Sequence, residues 1–362
     1  MNPIRRVLIV HPYGIGDLLF ITPVLRALRL LPGIEKIDLL LGSRTDAVVR
    51  ANPHVDDIMI VDKDLFHRQG KWKTFTDVRR LAARLGKEHY DLLLDYSMRG
   101  EYAFFSRFFL GIPRRAGFDY KRRGFFHNIR LPIPDGFRGR HVADYFCDLA
   151  EMAGIPVKDR HFEFYVTEQD REEVRTLLAG KTGYDAKRFF VIAPGGGESW
   201  GKDAHFKQWP AHFFAELASG LKIRYGMESA VILGSGNEKE KAEELAGALK
   251  FPALNLCGRT SLGATAVLIQ QSAFFLGNDG GLMHLAHALR VPVIAFFGPV
   301  DPQVYGPYPA SQNAAVIIKE DLDCRPCYQK FRYKSDCTHR NCLQALTPQE
   351  AAALLDAKQF HP

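Results

Sequence analysis

The sequence predicts an α/β protein made of two doubly wound domains, and three observations predict it. Short apolar runs of strand length recur in both halves of the 362-residue chain, each followed by a helical stretch. Two of those runs end in glycine turns that open helices, Gly14-Ile15-Gly16-Asp17 and Asn278-Asp279-Gly280-Gly281. With 46% hydrophobic and 25% charged residues, the chain can bury two ordinary cores. No apolar run approaches the roughly 20 residues that a membrane-spanning helix needs.

In the first half, strands are expected near residues 7–10, 37–41, 57–61 and 91–95, with helices near 18–30, 45–51, 76–87 and 141–153. In the second, strands are expected near 189–193, 230–233, 253–256, 273–276 and 293–297, with helices between them, one at 237–249. Repeated βα units imply parallel, Rossmann-like sheets covered on both faces. A polar amphipathic helix at 168–178 and the Gly180-Lys181-Thr182-Gly183 turn mark the boundary. The expected organisation is a first domain over 1–165, a linker over 166–187, a second domain over 188–335 and a tail over 336–362. Ligands of such sheets bind at the carboxyl ends of the strands, so the site is expected in the cleft between the domains. The N-terminus enters a strand without the apolar stretch of a secretory signal, and the cytoplasm is the expected compartment.

Each glycine turn places helical N–H groups and a positive dipole end after a strand, which is anion-binding architecture. A dinucleotide fingerprint fails in the first turn, because the third glycine position holds Leu19. Asp17 also sits where a pyrophosphate would have to lie. As a first-turn carboxylate it stabilises the helix start by about 1 kcal/mol, and it is also a candidate base. In the second half, Pro194-Gly195-Gly196-Gly197 follows a strand and allows close approach of backbone to an anion. Lys202 and Lys207 follow it as rival cations. Glu238, after the next strand, is placed either to complement a helix dipole or to reach a ribose hydroxyl.

Charge is uneven. Residues 1–160 hold 27 Lys and Arg against 19 Asp and Glu, and the rest of the chain is nearly neutral. Residues 99–140 carry ten basic residues and three acidic ones, interleaved with eight phenylalanines. Such a segment is either a solvated face over core aromatics or a surface for anionic lipid, nucleic acid or a multiply charged substrate.

The motifs in their order resemble glycosyltransferase family 9, the bacterial heptosyltransferases of lipopolysaccharide core synthesis. They are Gly16-Asp17 with Thr22-Pro23, Lys207-x-Trp209-Pro210, Gly234 to Glu238, and Asp279-Gly280-Gly281-x-x-His284. The tail is similar to that of heptosyltransferase II-like members. The resemblance implies a GT-B fold with two Rossmann-like domains facing across a cleft, and inverting, metal-independent transfer of heptose from ADP-heptose to the anionic inner core on lipid A. It implies Asp17 as the catalytic base and Lys207 as the cation on the diphosphate. Gly195, Gly196, Lys202, Glu238, Asp279, Gly280, Gly281 and His284 would then bind the donor, and Gly16, Thr22, Arg122 and Arg123 the acceptor. No cofactor is expected for catalysis. The partners expected are the nucleotide sugar, the lipid-linked acceptor and the inner-membrane surface, with no nucleic acid. The final helix, 348–358, is expected to cross back onto the first domain. A sugar-nucleotide epimerase of the same architecture, or a family member using another nucleotide sugar, is the alternative.

Cys324, Cys327, Cys337 and Cys342 fall within one 19-residue stretch. Their spacing is not that of a standard zinc ribbon, and structural zinc stands beside a reduced or disulfide-paired staple.

Overall fold

The computed structural model describes residues 3–43, 45–61, 71–333 and 337–362. The chain divides into two compact units, the first made of residues 1–138 and 142–162, the second of residues 139–141 and 163–362.

The first unit holds β1 (Arg6–His11), α1 (Ile15–Leu19), α2 (Thr22–Leu30), β2 (Lys36–Gly42), β3 (Asp57–Val61), α3 (Lys71–Gly86), β4 (Leu92–Asp95), α4 (Gly100–Phe108), β5 (Arg114–Asp119), β6 (Ile129–Pro132) and α5 (Val142–Met152). Its six strands are all parallel, in the order β3-β2-β1-β4-β5-β6. The inner strands β1, β2 and β4 are apolar along almost their whole length because helices cover both faces.

The second unit begins with α6 (Glu168–Leu178), in the stretch read from the sequence as a linker, and this helix packs on α9. There follow β7 (Phe189–Ala193), α7 (Ala211–Arg224), β8 (Ser229–Ile232), α8 (Lys239–Ala248), β9 (Ala253–Asn255), α9 (Leu262–Gln271), β10 (Phe275–Asn278), α10 (Gly281–Ala288), β11 (Val293–Phe297), α11 (Pro302–Tyr305), β12 (Ala314–Ile318), a β13–β14 hairpin (Tyr328–Gln329, Arg332–Tyr333), α12 (Asn341–Gln344) and α13 (Pro348–Ala357). Its sheet runs β12-β11-β10-β7-β8-β9, all parallel, which is the winding of the first sheet repeated.

Several expectations change. The helix expected at 18–30 is two helices, because Pro23 has no N–H to donate and its ring crowds the preceding turn. Thr22 begins the second helix, and its hydroxyl donates to the Leu19 carbonyl at 2.7 Å. The helix expected at 45–51 is a single 3₁₀ turn at Asp46–Val48. Strands β5, β6 and β12 and helix α4 lie in segments where none was expected. The final helix, α13, packs on α7 and β12 of its own unit. Leu355 and Phe360 are buried in that core, and the Tyr225 hydroxyl donates to the Phe360 carbonyl at 3.0 Å.

In the first core, His11 at the end of β1 is wholly buried between the rings of Tyr13, Tyr96 and Phe146. Burial lowers its pKa to about 3. The imidazole is therefore neutral when folded and takes a proton near pH 6.5 once unfolded, so the unfolded state binds more protons between those values. Stability is expected to fall as pH drops from about 6.5 toward 3, by about 1.4 kcal/mol per pH unit for this group. Urea denaturation of the parent and of His11→Phe across that range checks this, with a shallower slope expected for the variant.

Candidate active site

Both sheets reverse their strand order once, between β1 and β4 and between β7 and β10. At such a point neighbouring strand ends send their chains to opposite faces and leave a crevice at the carboxyl edge. The two glycine turns singled out in the sequence sit at these points.

In the second unit, the exits of β7 and β10 are tied together by Asn278. Its carboxamide oxygen accepts from the Trp209 N–H at 3.1 Å, and its nitrogen donates to the carbonyls of Pro194 and Gly195 at 2.8 and 3.2 Å. Trp209, stacked on Phe296 at 4.0 Å, donates its indole N–H to the Leu346 carbonyl at 2.9 Å. Three loops and the C-terminal segment thus share one anchorage. Beside it lies a pocket lined by Gly195, Gly197, Leu233, Glu238, Gly280 and Gly281, among others. Helix α10 starts at its wall, and Met283 is where hydrogen bonding back to Gly280 begins, so the N–H groups ahead of it belong to the helix's donor end.

The glycines at 195 and 196 stand against other protein groups. A Cβ on Gly195 would lie 1.7 Å from Glu238 Oε1, and one on Gly196 would lie 2.1 Å from the Ala204 carbonyl. The bare backbone makes room for these protein groups. Glu238 accepts from Ser235 N–H at 2.8 Å and from Gly197 N–H at 3.3 Å, so it stitches the β8 exit to the β7 exit while lining the pocket. Gly197, at φ +85°, does need glycine's left-handed freedom.

Lys207 and Asp279 form an ion pair of 2.7 Å in which each side chain is 4% exposed. Burial raises the Asp279 pKa, and the Lys207 ammonium opposes that shift. Asp279 therefore serves as the counter-ion of Lys207, while Gly280 occupies the helix cap position. His284, one turn into α10, is buried, and desolvation together with His141, Lys207 and His287 holds its pKa well below the usual value. It is a neutral imidazole at physiological pH. His287 contacts the Pro309 carbonyl at 2.9 Å, and His141 contacts that of Gly306 at 3.1 Å. The side chain of Lys202 lies outside the described residues.

In the first unit, Asp17 is half-buried at the third position of α1 and accepts from the Gly14 N–H at 3.3 Å. Gly16 is buried in the same helix and Thr22 is wholly buried. Asp17 keeps company that sequence reading did not assign to the site. The Tyr13 phenol has its pKa raised by burial, with Asp17 and Asp95 adding to the effect and Arg99 opposing it. Tyr13 donates to the Ser97 carbonyl, and Asp95 is buried 3.1 Å from His127 Nε2. These residues come from the exits of β1 and β4 and from a loop before β6, a convergence without any sequence signal. Arg122 and Arg123 are exposed in the β5–β6 turn, where Lys121 and Arg122 have positive φ.

The four cysteines of the tail lie near one another, with Cys327, Cys337 and Cys324 all acting electrostatically on Cys342. Cys324 is exposed, Cys342 is buried with its thiol pushed up to about 11, and Cys327 and Cys337 are partly exposed. Among the described residues no three His, Cys, Asp or Glu side chains converge as metal ligands.

Residues 78–336 match the family model of glycosyltransferase family 9 (heptosyltransferase). The chain belongs to glycosyltransferase family 9. Among relatives of this family 9 enzyme, lipopolysaccharide heptosyltransferase 1 of Pseudomonas aeruginosa is 27% identical over 99% of each chain. Two solved structures share the fold. The ADP-heptose heptosyltransferase II of Escherichia coli is 22% identical over 98% of both chains, with a TM-score of 0.72. A family 9 glycosyl transferase from Veillonella parvula is 19% identical over 98% of this chain and 97% of its own, with a TM-score of 0.77. The two six-stranded parallel sheets are thus those of a GT-B glycosyltransferase.

Removing Lys207 leaves Asp279 buried without its cation, so Lys207→Ala is expected to destabilise the glycosyltransferase by about 3–5 kcal/mol. The double variant Lys207→Ala with Asp279→Ala is expected to recover part of that loss. Chemical denaturation of the single and double variants measures the coupling.

Proposed function

We propose that this glycosyltransferase moves heptose from ADP-heptose to the inner core of lipopolysaccharide with inversion at the anomeric carbon. The observation that carries this reading is the complementary chemistry at the two strand-order reversals. A half-buried carboxylate, Asp17, occupies one. A buried cation, Lys207, and the glycine start of a helix, Gly280 and Gly281, occupy the other. Transfer by inversion needs a base for the acceptor hydroxyl proton and a positive field for the departing diphosphate.

In this reading the acceptor oxygen bonds to the anomeric carbon as the bond to ADP breaks, and the hydroxyl proton passes to Asp17. Asp17 stands at a helix start and accepts a backbone N–H, both of which favour its charged form and make it a weak base. Proton transfer is therefore late, after the hydroxyl has begun to bond to an oxocarbenium-like carbon. The leaving diphosphate takes the N–H groups opening α10 and competes with Asp279 for Lys207. Fixed N–H dipoles and an ammonium supply the charge that a divalent ion would otherwise supply, so the chemistry is metal-independent. Glu238, at the pocket wall, is placed for the nucleoside. Arg122 and Arg123 seat the anionic acceptor, which would bring the enzyme to the cytoplasmic face of the inner membrane.

The decisive assay offers purified protein a panel of nucleotide sugars and reads release of ADP, UDP or GDP with and without a truncated core acceptor. Sugar conversion without acceptor would favour an epimerase. Asp17→Asn is expected to keep fold and ADP affinity while lowering turnover by about two orders of magnitude or more, and near-normal turnover would remove Asp17 from the mechanism. Activity is expected to survive EDTA; a loss restored by magnesium would sink the metal-independent reading. Lys207→Ala is expected to weaken ADP binding and slow turnover, and the same loss from Lys202→Ala alone would transfer the role to that lysine.

A further inference from the structure

Four phenylalanines of the basic segment are not core residues. Phe104, Phe108, Phe109 and Phe125 are 42%, 56%, 66% and 67% exposed, although burying such rings is strongly favourable. They form one surface. Phe104 packs on Phe108 at 4.9 Å and on Phe126 at 5.1 Å, and Phe125 lies edge-on to Phe126 at 5.3 Å. Two elements build it, the exposed side of α4 and the β5–β6 turn. Gly100 holds them together, since a Cβ there would lie 3.1 Å from the Arg123 carbonyl. The turn is closed by the Gly124 N–H donating to Asp119 at 3.1 Å.

The rim of this apolar surface is cationic. Lys121, Arg122 and Arg123 are exposed beside Phe125, and Arg107 lies over the Phe108 ring at 5.1 Å. None of the four pairs with a carboxylate among the described residues. The nearby acids are engaged elsewhere, Glu101 with Arg99 and Asp119 with the turn backbone. Rings flanked by unneutralised lysine and arginine match the interface of an anionic bilayer, where aromatic groups enter the headgroup boundary and cations meet lipid phosphates. A nucleic acid would call for a cationic groove with aromatic faces open for stacking. Here the rings pack on one another in an outward cluster.

The structure assigns this surface as a docking site for an anionic lipid bilayer, with Phe108 and Phe125 entering the headgroup region and Lys121, Arg122 and Arg123 contacting lipid phosphates. The assignment deepens the reading of a lipid-borne acceptor, which supplies its purpose, but it stands on the surface alone and fails separately.

The test is co-sedimentation of the full-length protein with phosphatidylcholine vesicles, with and without phosphatidylglycerol, at low and high salt. Binding is expected to the phosphatidylglycerol vesicles and to weaken with salt. Neutralising Lys121, Arg122 and Arg123 to Gln should lower that affinity by about a hundredfold. Phe108→Ser with Phe125→Ser should lower it by about tenfold or more at either salt, with unchanged thermal unfolding and unchanged turnover on a water-soluble acceptor. Phe125→Trp should show blue-shifted emission on binding and quenching by brominated lipid. Absence of sedimentation, or wild-type binding by the Phe variant, overturns the assignment. So does a dimer that the Phe variant dissociates while vesicle binding persists, since the surface would then cover a second copy.

Discussion

The Asn278 carboxamide is the constraint on which the second unit's site depends. At a strand-order reversal two parallel strands end side by side and their chains part, so the exposed ends of the sheet need partners that no ladder supplies. One buried amide, which can accept and donate at once, meets the Trp209 N–H and the carbonyls of Pro194 and Gly195. Through that junction the Lys207 backbone, the β7 exit and the start of α10 hold fixed relative positions. A buried network of this kind is stabilising only when every member is satisfied, which makes it specify a single arrangement.

Charge follows the same economy. Lys207 and Asp279 are tolerated in a nearly dry place because each answers the other, and the three histidines around them remain neutral or bound to carbonyls. The Lys207 ammonium is a buried charge of this region, paired with the carboxylate just ahead of the opening N–H groups of α10. At the strand-order reversal of the first unit the local groups are acidic, with Asp17 and Asp95 near Tyr13 and Arg99 opposing their effect on it.

Legibility of the chain tracked burial. Strands β1, β2, β4, β7 and β11 are covered on both faces, so they are apolar runs that stand out in the sequence. β5 did not stand out, because its Arg115 is buried by donating to the carbonyls of Ile112, Pro113 and Phe126, and its Gly117 makes room for His127, whose ring lies 2.3 Å from where a Cβ would be. A charged residue that finds carbonyls across a turn looks, in sequence, like any solvated arginine. The aromatic segment misled in the other direction, since phenylalanines that would ordinarily be interior lie on the surface of α4 and its neighbouring turn.

By itself the sequence determined the α/β class, the repeated βα organisation, the family and the two glycine turns, because periodicity, helix starts and short motifs are local properties of the chain. It also supplied the roster of candidate groups, from Asp17 to Lys207 and Asp279. Tertiary structure decided which of them meet. Lys207 and Asp279 are 72 positions apart and form one ion pair. The room above Gly195 belongs to Glu238, Thr22 closes a helix break, and the last helix completes the second core. Those outcomes depend on which buried polar groups find partners across long loops, and that pairing is fixed only when the sheets are assembled.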